Sequence, residues 1–583
     1  MKTIVTTLNA KYIHMNLAIR YLKAYAEPQF PVELVEYTIK DPVMNIVADL
    51  YKRKPNILGF SCYIWNIEET IKVIQLLKKA NPNVKIILGG PEVSYDVGYW
   101  LERIPEVDVI AMGEGEATFK QILHAFKSGN SLKEVQGIAY LQEGRLQINP
   151  AREKLDLRNL PTPFRFDQDK KDLAKRVIYI ETSRGCPFNC QFCLSSIEVG
   201  VRYFDREKIK EEIRYLMKNG ARTIKFVDRT FNISRKYAMD MFQFLIDEHV
   251  PGTVFQFEIT GDIMRPEVIE FLNTNAPKGL FRFEIGVQST NDYTNELVKR
   301  RQNFTKLTRT VKMVKDGGKI DQHLDLIAGL PEEDYQSFKK TFNDVFHLRP
   351  EELQLGFLKM LRGTGLRIQA KQWDYTYMEQ SPYEIIRNNV LSFDDVIKIK
   401  QVEDILEKYW NAHRMDTTIE YLVTNIFESP YDFFQSFGTF WDNAGWSKIG
   451  HQLEDLFTRL HQFLQELSIN EFDSVSGLMI YDYLIRQKYK PRKIWWINNV
   501  KKAVSGAIYH QIQSHSNIPE QIKGLSERDW YKDTIIVKYP FNLAHYLQTG
   551  DMIKKEGYVL FYYDRKGNCS CYPLEENINE ATA

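Results

Sequence analysis

Along the first 150 residues, short continuous apolar runs alternate with stretches whose apolar positions recur every three to four residues. The runs at residues 2–8, 32–37, 56–62, 84–88 and 107–111 predict strands. The periodic stretches at 15–26, 44–52, 68–79 and 116–126 predict helices. Strands apolar on both faces and separated by helices predict a parallel sheet covered on both sides. Ligands of such sheets sit beyond the carboxyl ends of the strands. Three segments rich in small residues, 59–66, 89–94 and 113–116, each follow a strand and so fall on one rim. Residues 134–150 predict a closing hairpin that turns at Glu143 and Gly144.

Pro161 and Pro163 mark residues 160–165 as a linker. A second set of alternating elements follows, with strands expected at 177–182, 223–227, 254–259, 280–287, 323–327 and 353–359. Amphipathic helices separate most of them, for instance at 206–218, 235–248 and 335–347. Six such units predict a parallel barrel or partial barrel with its chemistry at the strand C-termini. From about Gln380 the pattern becomes helical and rich in Trp, Phe and Tyr, then β-like over 533–573. The expected organisation is α/β: a domain at 1–150, a partial barrel at 165–375, and a mostly helical domain at 380–583 carrying a small β element.

Composition narrows the classes. In 583 residues, 44% are hydrophobic, which excludes a disordered chain. The formal net charge is +1, so no whole-chain field draws the protein to nucleic acid or an anionic membrane. A basic run from Arg486 to Lys493 beside Trp495 and Trp496 offers a local RNA-binding alternative to a plain solvated turn. No apolar run approaches the ~20 residues of a membrane span, and the N-terminus carries no signal-peptide pattern. A cytoplasmic protein is expected.

Six cysteines are too few for a disulfide framework, yet three fall within eight residues: Cys186, Cys190 and Cys193. Their spacing, C-x-x-x-C-x-x-C, follows a predicted strand. Three thiolates in one loop can hold three irons of a 4Fe–4S cubane and leave the fourth open. A closed zinc site needs a fourth ligand, and no other cysteine or histidine lies nearby in the sequence. Cys62 reads as a small core thiol. Cys569 and Cys571 read as non-ligands.

This loop, with Phe192 just before the last cysteine, resembles the radical S-adenosylmethionine (SAM) superfamily. The resemblance implies that the open iron chelates SAM and that one electron cleaves it to a 5′-deoxyadenosyl radical. It further implies a SAM pocket built from Phe192, Asp228, Glu258, Gln288, Arg300 and Asp325, which follow one another through the predicted barrel. Asp228 could equally pair with Arg229. An α/β domain placed before the barrel resembles the cobalamin-binding branch, with a Rossmann-like domain. Ser61, Tyr63, Gly89, Gly90, Gly113, Glu114 and Gly115 would then line the corrin, with His14 a lesser candidate. No D-x-H-x-x-G motif is present, so the resemblance implies cobalt without a lower histidine. No G-x-G-x-x-G or P-loop supports a nucleotide instead.

The expected activity is a cobalamin-dependent radical SAM methyltransferase acting at an unactivated carbon, with the barrel cysteines catalytic. It would draw electrons from a flavodoxin- or ferredoxin-type reductant. The alternatives are a radical oxidoreductase or rearrangement enzyme without methyl transfer, or a modifier of RNA or peptide recognised by the third region.

Overall fold

The computed structural model describes all residues except 198–199, 493–499, 501, 515 and 575–583. Part of the basic run, Lys493 with Trp495 and Trp496, lies outside the described residues. The chain divides into two compact units, Met1–Val396 and Ile397–Ala583.

The first unit begins with a seven-stranded sheet. Its strands are β1 (Thr3–Asn9), β2 (Val32–Thr38), β3 (Ile57–Ser61), β4 (Lys85–Gly89), β5 (Val109–Ala111), β6 (Ile138–Gln142) and β7 (Arg145–Ile148), in the order β2-β1-β3-β4-β5-β6-β7. The first five run parallel, and the β6–β7 hairpin closes the edge antiparallel. Glu143 and Gly144 both take positive φ at its two-residue turn. Alternation along the strands builds two cores. Leu58, Phe60, Ile86 and Leu88 pack with Ile46, Ile74 and Trp100 on one face. Ile57, Ile87 and Val109 pack with Ile19, Phe119 and Ile122 on the other. Both layers are buried, as the apolar strand runs require.

A six-stranded, all-parallel sheet follows: β8 (Val177–Ile180), β11 (Thr223–Phe226), β12 (Val254–Ile259), β13 (Phe281–Gln288), β14 (Asp321–Ala328) and β15 (Glu352–Phe357). Its order is β15-β14-β13-β12-β11-β8, the partial barrel. Between β8 and β11, a short ribbon of β9 (Ser183–Arg184) and β10 (Arg202–Tyr203) brackets the cysteine loop. One face of these strands is aromatic. Phe226 stacks on Phe257 at 4.4 Å between centroids, and Phe242 of the helix Arg235–Glu248 meets Phe257, Phe281 and Phe283. The other face is polar and half-buried. There Lys225 pairs with Glu284 at 2.5 Å, and His323 bridges Asp325 at 3.0 Å and Glu352 at 3.1 Å. Burial alone would lower the His323 pKa, but those two carboxylates push it up to about 10, so the imidazole is held as a cation.

The second unit is helical, with an aromatic core where Phe437 stacks on Phe463 at 4.6 Å. A three-stranded antiparallel sheet, Thr534–Tyr539, Gly557–Tyr563 and Cys569–Pro573, completes it. Among the described residues no helix is long and apolar enough to cross a membrane.

Candidate functional site

A cavity of about 680 Å³ lies in the first unit, where the strand-end rim of the N-terminal sheet meets the barrel. From the rim come Ser61, Tyr63, Gly89, Gly90, Gly113, Glu114 and Gly115. From the barrel come Tyr179, Glu181, Arg184, Arg229 and Glu258. Gly90 explains one wall. Its φ is +113°, and a Cβ there would lie 2.4 Å from the Cys62 carbonyl oxygen. The loop after β3 is pinned by Asn66, whose amide donates to the Leu8 and Ser61 carbonyls and whose oxygen accepts the Tyr63 N–H. Tyr63 and Trp65 stack at 4.3 Å and line the same cavity. Cys62 is fully buried, and burial pushes its thiol far above the usual range, in keeping with a core role.

His14 enters the cavity from the loop after β1, which forms a bridge to Val177 of β8. Its Nδ1 lies 2.7 Å from the Tyr179 hydroxyl. Among the described residues it is the one histidine lining this space.

The cysteine loop leaves the sheet at its carboxyl end. Gly185 has φ +97°, and a Cβ would sit 2.0 Å from the Gly200 carbonyl oxygen, so the neck of the loop closes only with glycine there. Cys186 and Cys190 are buried and Cys193 is half-buried; none is in a disulfide. Burial raises the Cys186 and Cys190 thiols, and the neighbouring thiols raise them further. The positive charge of nearby Arg300 lowers Cys190 in part. Among the described residues no group of three or more His, Cys, Asp or Glu is gathered to hold a single metal ion. Three free thiols carried by one loop are the donor set for three irons of a 4Fe–4S cluster, with the fourth iron left open. Phe192 is half-buried beside it.

The remaining expected SAM residues are dispersed. Glu258 lines the cavity; burial raises its carboxyl, opposed by Arg229 and Lys225. Asp325 is engaged by His323. Gln288 sits at an irregularity in β13 with φ +69°, and its Oε1 is buried without a partner. Arg300 donates to the Gly286 carbonyl and, at 3.1 Å, to Gln302. None of these three lines the cavity.

Two of the expected site residues are held by protein partners. Asp228 is only 1% exposed, and its carboxylate accepts from the Thr182 N–H at 3.0 Å, the Thr182 hydroxyl at 2.6 Å and the Ser183 hydroxyl at 2.5 Å. It faces the segment before the cysteines, where three donors need an acceptor, rather than pairing with Arg229. Glu114 lines the cavity, but its carboxylate is taken by Arg202 and the Leu155 N–H. Burial would raise it; these partners and Arg184 hold it below the usual carboxylate range. Sequence reasoning missed Arg184, Arg202, Glu116, Glu181 and Tyr179. The flanking of the cysteine loop by two arginines was the signal available for the first two.

A parallel α/β sheet facing a partial barrel, with a three-cysteine loop at the barrel mouth, is the arrangement expected of a cobalamin- and SAM-binding enzyme. Family models agree: residues 3–123 match the B12 binding domain, 180–345 the radical SAM superfamily, and 371–561 a protein of unknown function (DUF4080). The chain thus carries the two domains of a cobalamin-binding radical SAM enzyme, which bring a 4Fe–4S cluster, SAM and cobalamin as cofactors. It is 24% identical to an uncharacterized methyltransferase of Pyrococcus horikoshii over 71% of this chain and 90% of that protein. It is 29% identical to the cobalamin-dependent radical SAM methyltransferase TokK of Streptomyces tokunonensis, over 38% of this chain and 35% of that one. The fold resembles the cobalamin-bound structure of the SAM radical enzyme OxsB, with a TM-score of 0.57, 15% identity, and 82% and 80% of the two chains covered.

Proposed function

We propose that this enzyme transfers a methyl group from SAM to a carbon of its substrate, and that it does so in the cavity between the rim and the barrel. One observation carries the reading: rim residues Gly89, Gly90 and Gly113 and barrel residues Glu258, Arg229 and Tyr179 wall a single space. When bound, the cluster with SAM supplies a 5′-deoxyadenosyl radical, and cobalamin supplies the methyl donor. The chain's own residues position these groups. Cys186, Cys190 and Cys193 hold the cluster, and Arg300, anchored on the Gly286 carbonyl of β13, places a positive charge near Cys190. Asp228 orders Thr182 and Ser183 ahead of the loop. Glu258, Gln288 and Asp325 are assigned to SAM, and Ser61, Tyr63, Gly89, Gly90, Gly113 and Gly115 to the corrin, within a domain spanning 1–150. Residues 165–375 form the catalytic barrel, and 380–583 a third domain. An external one-electron reductant of the flavodoxin or ferredoxin type reduces the cluster, which suits a reducing cytoplasm.

Related proteins named as methyltransferases support the reading. The test is anaerobic turnover of the reconstituted enzyme with methyl-labelled SAM. Both S-adenosylhomocysteine and 5′-deoxyadenosine are expected, the former only with cobalamin present. Production of 5′-deoxyadenosine alone would overturn methyl transfer in favour of an oxidation or rearrangement.

A further inference from the structure

The neck of the cysteine loop is clipped to the rim of the cavity by two acid–base pairs. Arg184 and Arg202 face each other across the β9–β10 ribbon. Arg184 donates to Glu116 at 2.7 Å and to Glu181 at 2.9 Å, and lies 3.6 Å from Glu114. Arg202 binds Glu114 and the Leu155 carbonyl, the latter at 2.8 Å. The Arg184 guanidinium is flanked by the rings of Tyr21 and Phe204 at 5.3 and 5.6 Å, which restricts it to this orientation. Glu114 lies in the same rim loop as Gly113 and Gly115, Glu116 opens the helix Glu116–Ser128 that follows, and all four line the cavity.

Glu116 stands out within the clip. It is 4% exposed, its Oε1 is held by Arg184, and its Oε2 is buried with no hydrogen-bond partner. A buried carboxylate oxygen left without a donor is costly, so a donor is expected from whatever fills the cavity. The rim of a corrin carries primary amides, which are N–H donors.

We propose that Glu116 couples occupancy of the cavity to the position of the cluster loop. Its free oxygen accepts a hydrogen bond from a corrin amide, and its other oxygen holds Arg184, two residues before Cys186. The proposal rests on the cobalamin reading above. Coupling of this kind is reciprocal: a loaded cluster tightens corrin binding by the factor with which bound corrin favours the loaded cluster. Glu116, Arg184, Glu114 and Arg202 are positioning residues and take no part in the chemistry.

The test is an anaerobic optical titration of the full chain with hydroxocobalamin, before and after cluster reconstitution. In the parent, cluster loading should tighten binding at least roughly fivefold. In Glu116→Gln and in Arg184→Gln, the two affinities should agree to within about twofold. The double variant should lose no more coupling than either single change, because the pair acts as one unit. Equal affinities in the parent, or undiminished coupling in the variants, would overturn the proposal. Complete failure of the parent to take up hydroxocobalamin would instead overturn the cobalamin reading. Amide exchange of residues 181–197 in corrin-free protein then decides the clip alone: Glu116→Gln should speed it about tenfold or more, and unchanged exchange refutes the link.

Discussion

Asp228 is the anchor behind the cluster loop, and replacing it by Asn isolates that role. The residue is 1% exposed, and one carboxylate oxygen faces the Thr182 N–H while the other takes the Thr182 and Ser183 hydroxyls. Asn keeps the shape but supplies only one acceptor oxygen. With that oxygen on the Thr182 N–H, the NH₂ group meets the Thr182 and Ser183 hydroxyls, which must turn their protons away and lose the acceptor they share. Losing a hydrogen bond to a charged group costs about 1.5–3 kcal/mol, and an unmet buried donor about 1–3 kcal/mol. Since these overlap, the net local cost is about 2–4 kcal/mol. The unit is too large for one global unfolding free energy to be meaningful, so the assay should be local. Hydrogen exchange of a peptide spanning residues 181–190 reads the opening of this segment directly. At 1.4 kcal/mol per factor of ten, exchange in Asp228→Asn should be roughly 30- to 1000-fold faster than in the parent. Iron retained after reconstitution should fall in parallel. Exchange within about threefold of the parent, with full iron content, would refute the argument that Asp228 orders the approach to Cys186.

Four further outcomes are expected. Replacing Cys186, Cys190 and Cys193 together by Ala should abolish iron uptake on reconstitution, whereas replacing Cys569 and Cys571 should leave iron content unchanged; retained iron in the triple variant would defeat the cluster assignment. Glu258→Gln and Asp325→Asn should each weaken SAM binding roughly ten- to a hundredfold in equilibrium dialysis, the worth of about 1.5–3 kcal/mol, and parent-like affinity in both would remove them from the pocket. Cobalamin bound to the enzyme should give a Co(II) EPR spectrum without nitrogen splitting, unchanged by His14→Ala; a triplet splitting that the substitution removes would make His14 the lower ligand. Burial pushes the Glu92 carboxyl up to about 7, against donation from Tyr383 and the nearby Arg362 and Arg367. A carboxyl raised on folding favours the folded state while protonated, so stability is lost as pH rises from about 4.5 to about 7. The melting temperature of Glu92→Gln should therefore rise relative to the parent as pH increases from 5 to 8, and a constant difference in melting temperature would contradict this.

What the sequence alone determined is local. Apolar runs at residues 56–62 and 84–88 are buried on both faces in the structure, so their burial could be read from composition without knowing which helices cover them. The cysteine spacing carries its chemistry within eight residues. Gly90 and Gly185 were not legible in this way, since a Cβ at either would meet a carbonyl oxygen, of Cys62 or of Gly200, that only the fold brings near. The same holds for Asp228 and Glu114, because the fate of a polar side chain depends on partners distant in sequence. Thr182 and Ser183 lie 46 and 45 residues from Asp228, and Arg202 lies 88 from Glu114. The polar face across the six barrel strands was equally hidden. Lys225 meets Glu284 across 59 residues, and only the parallel register brings their strands onto one surface. Only the tertiary structure decided that the rim and the barrel enclose one cavity, because periodicity specifies which face of an element is buried and never what it is buried against.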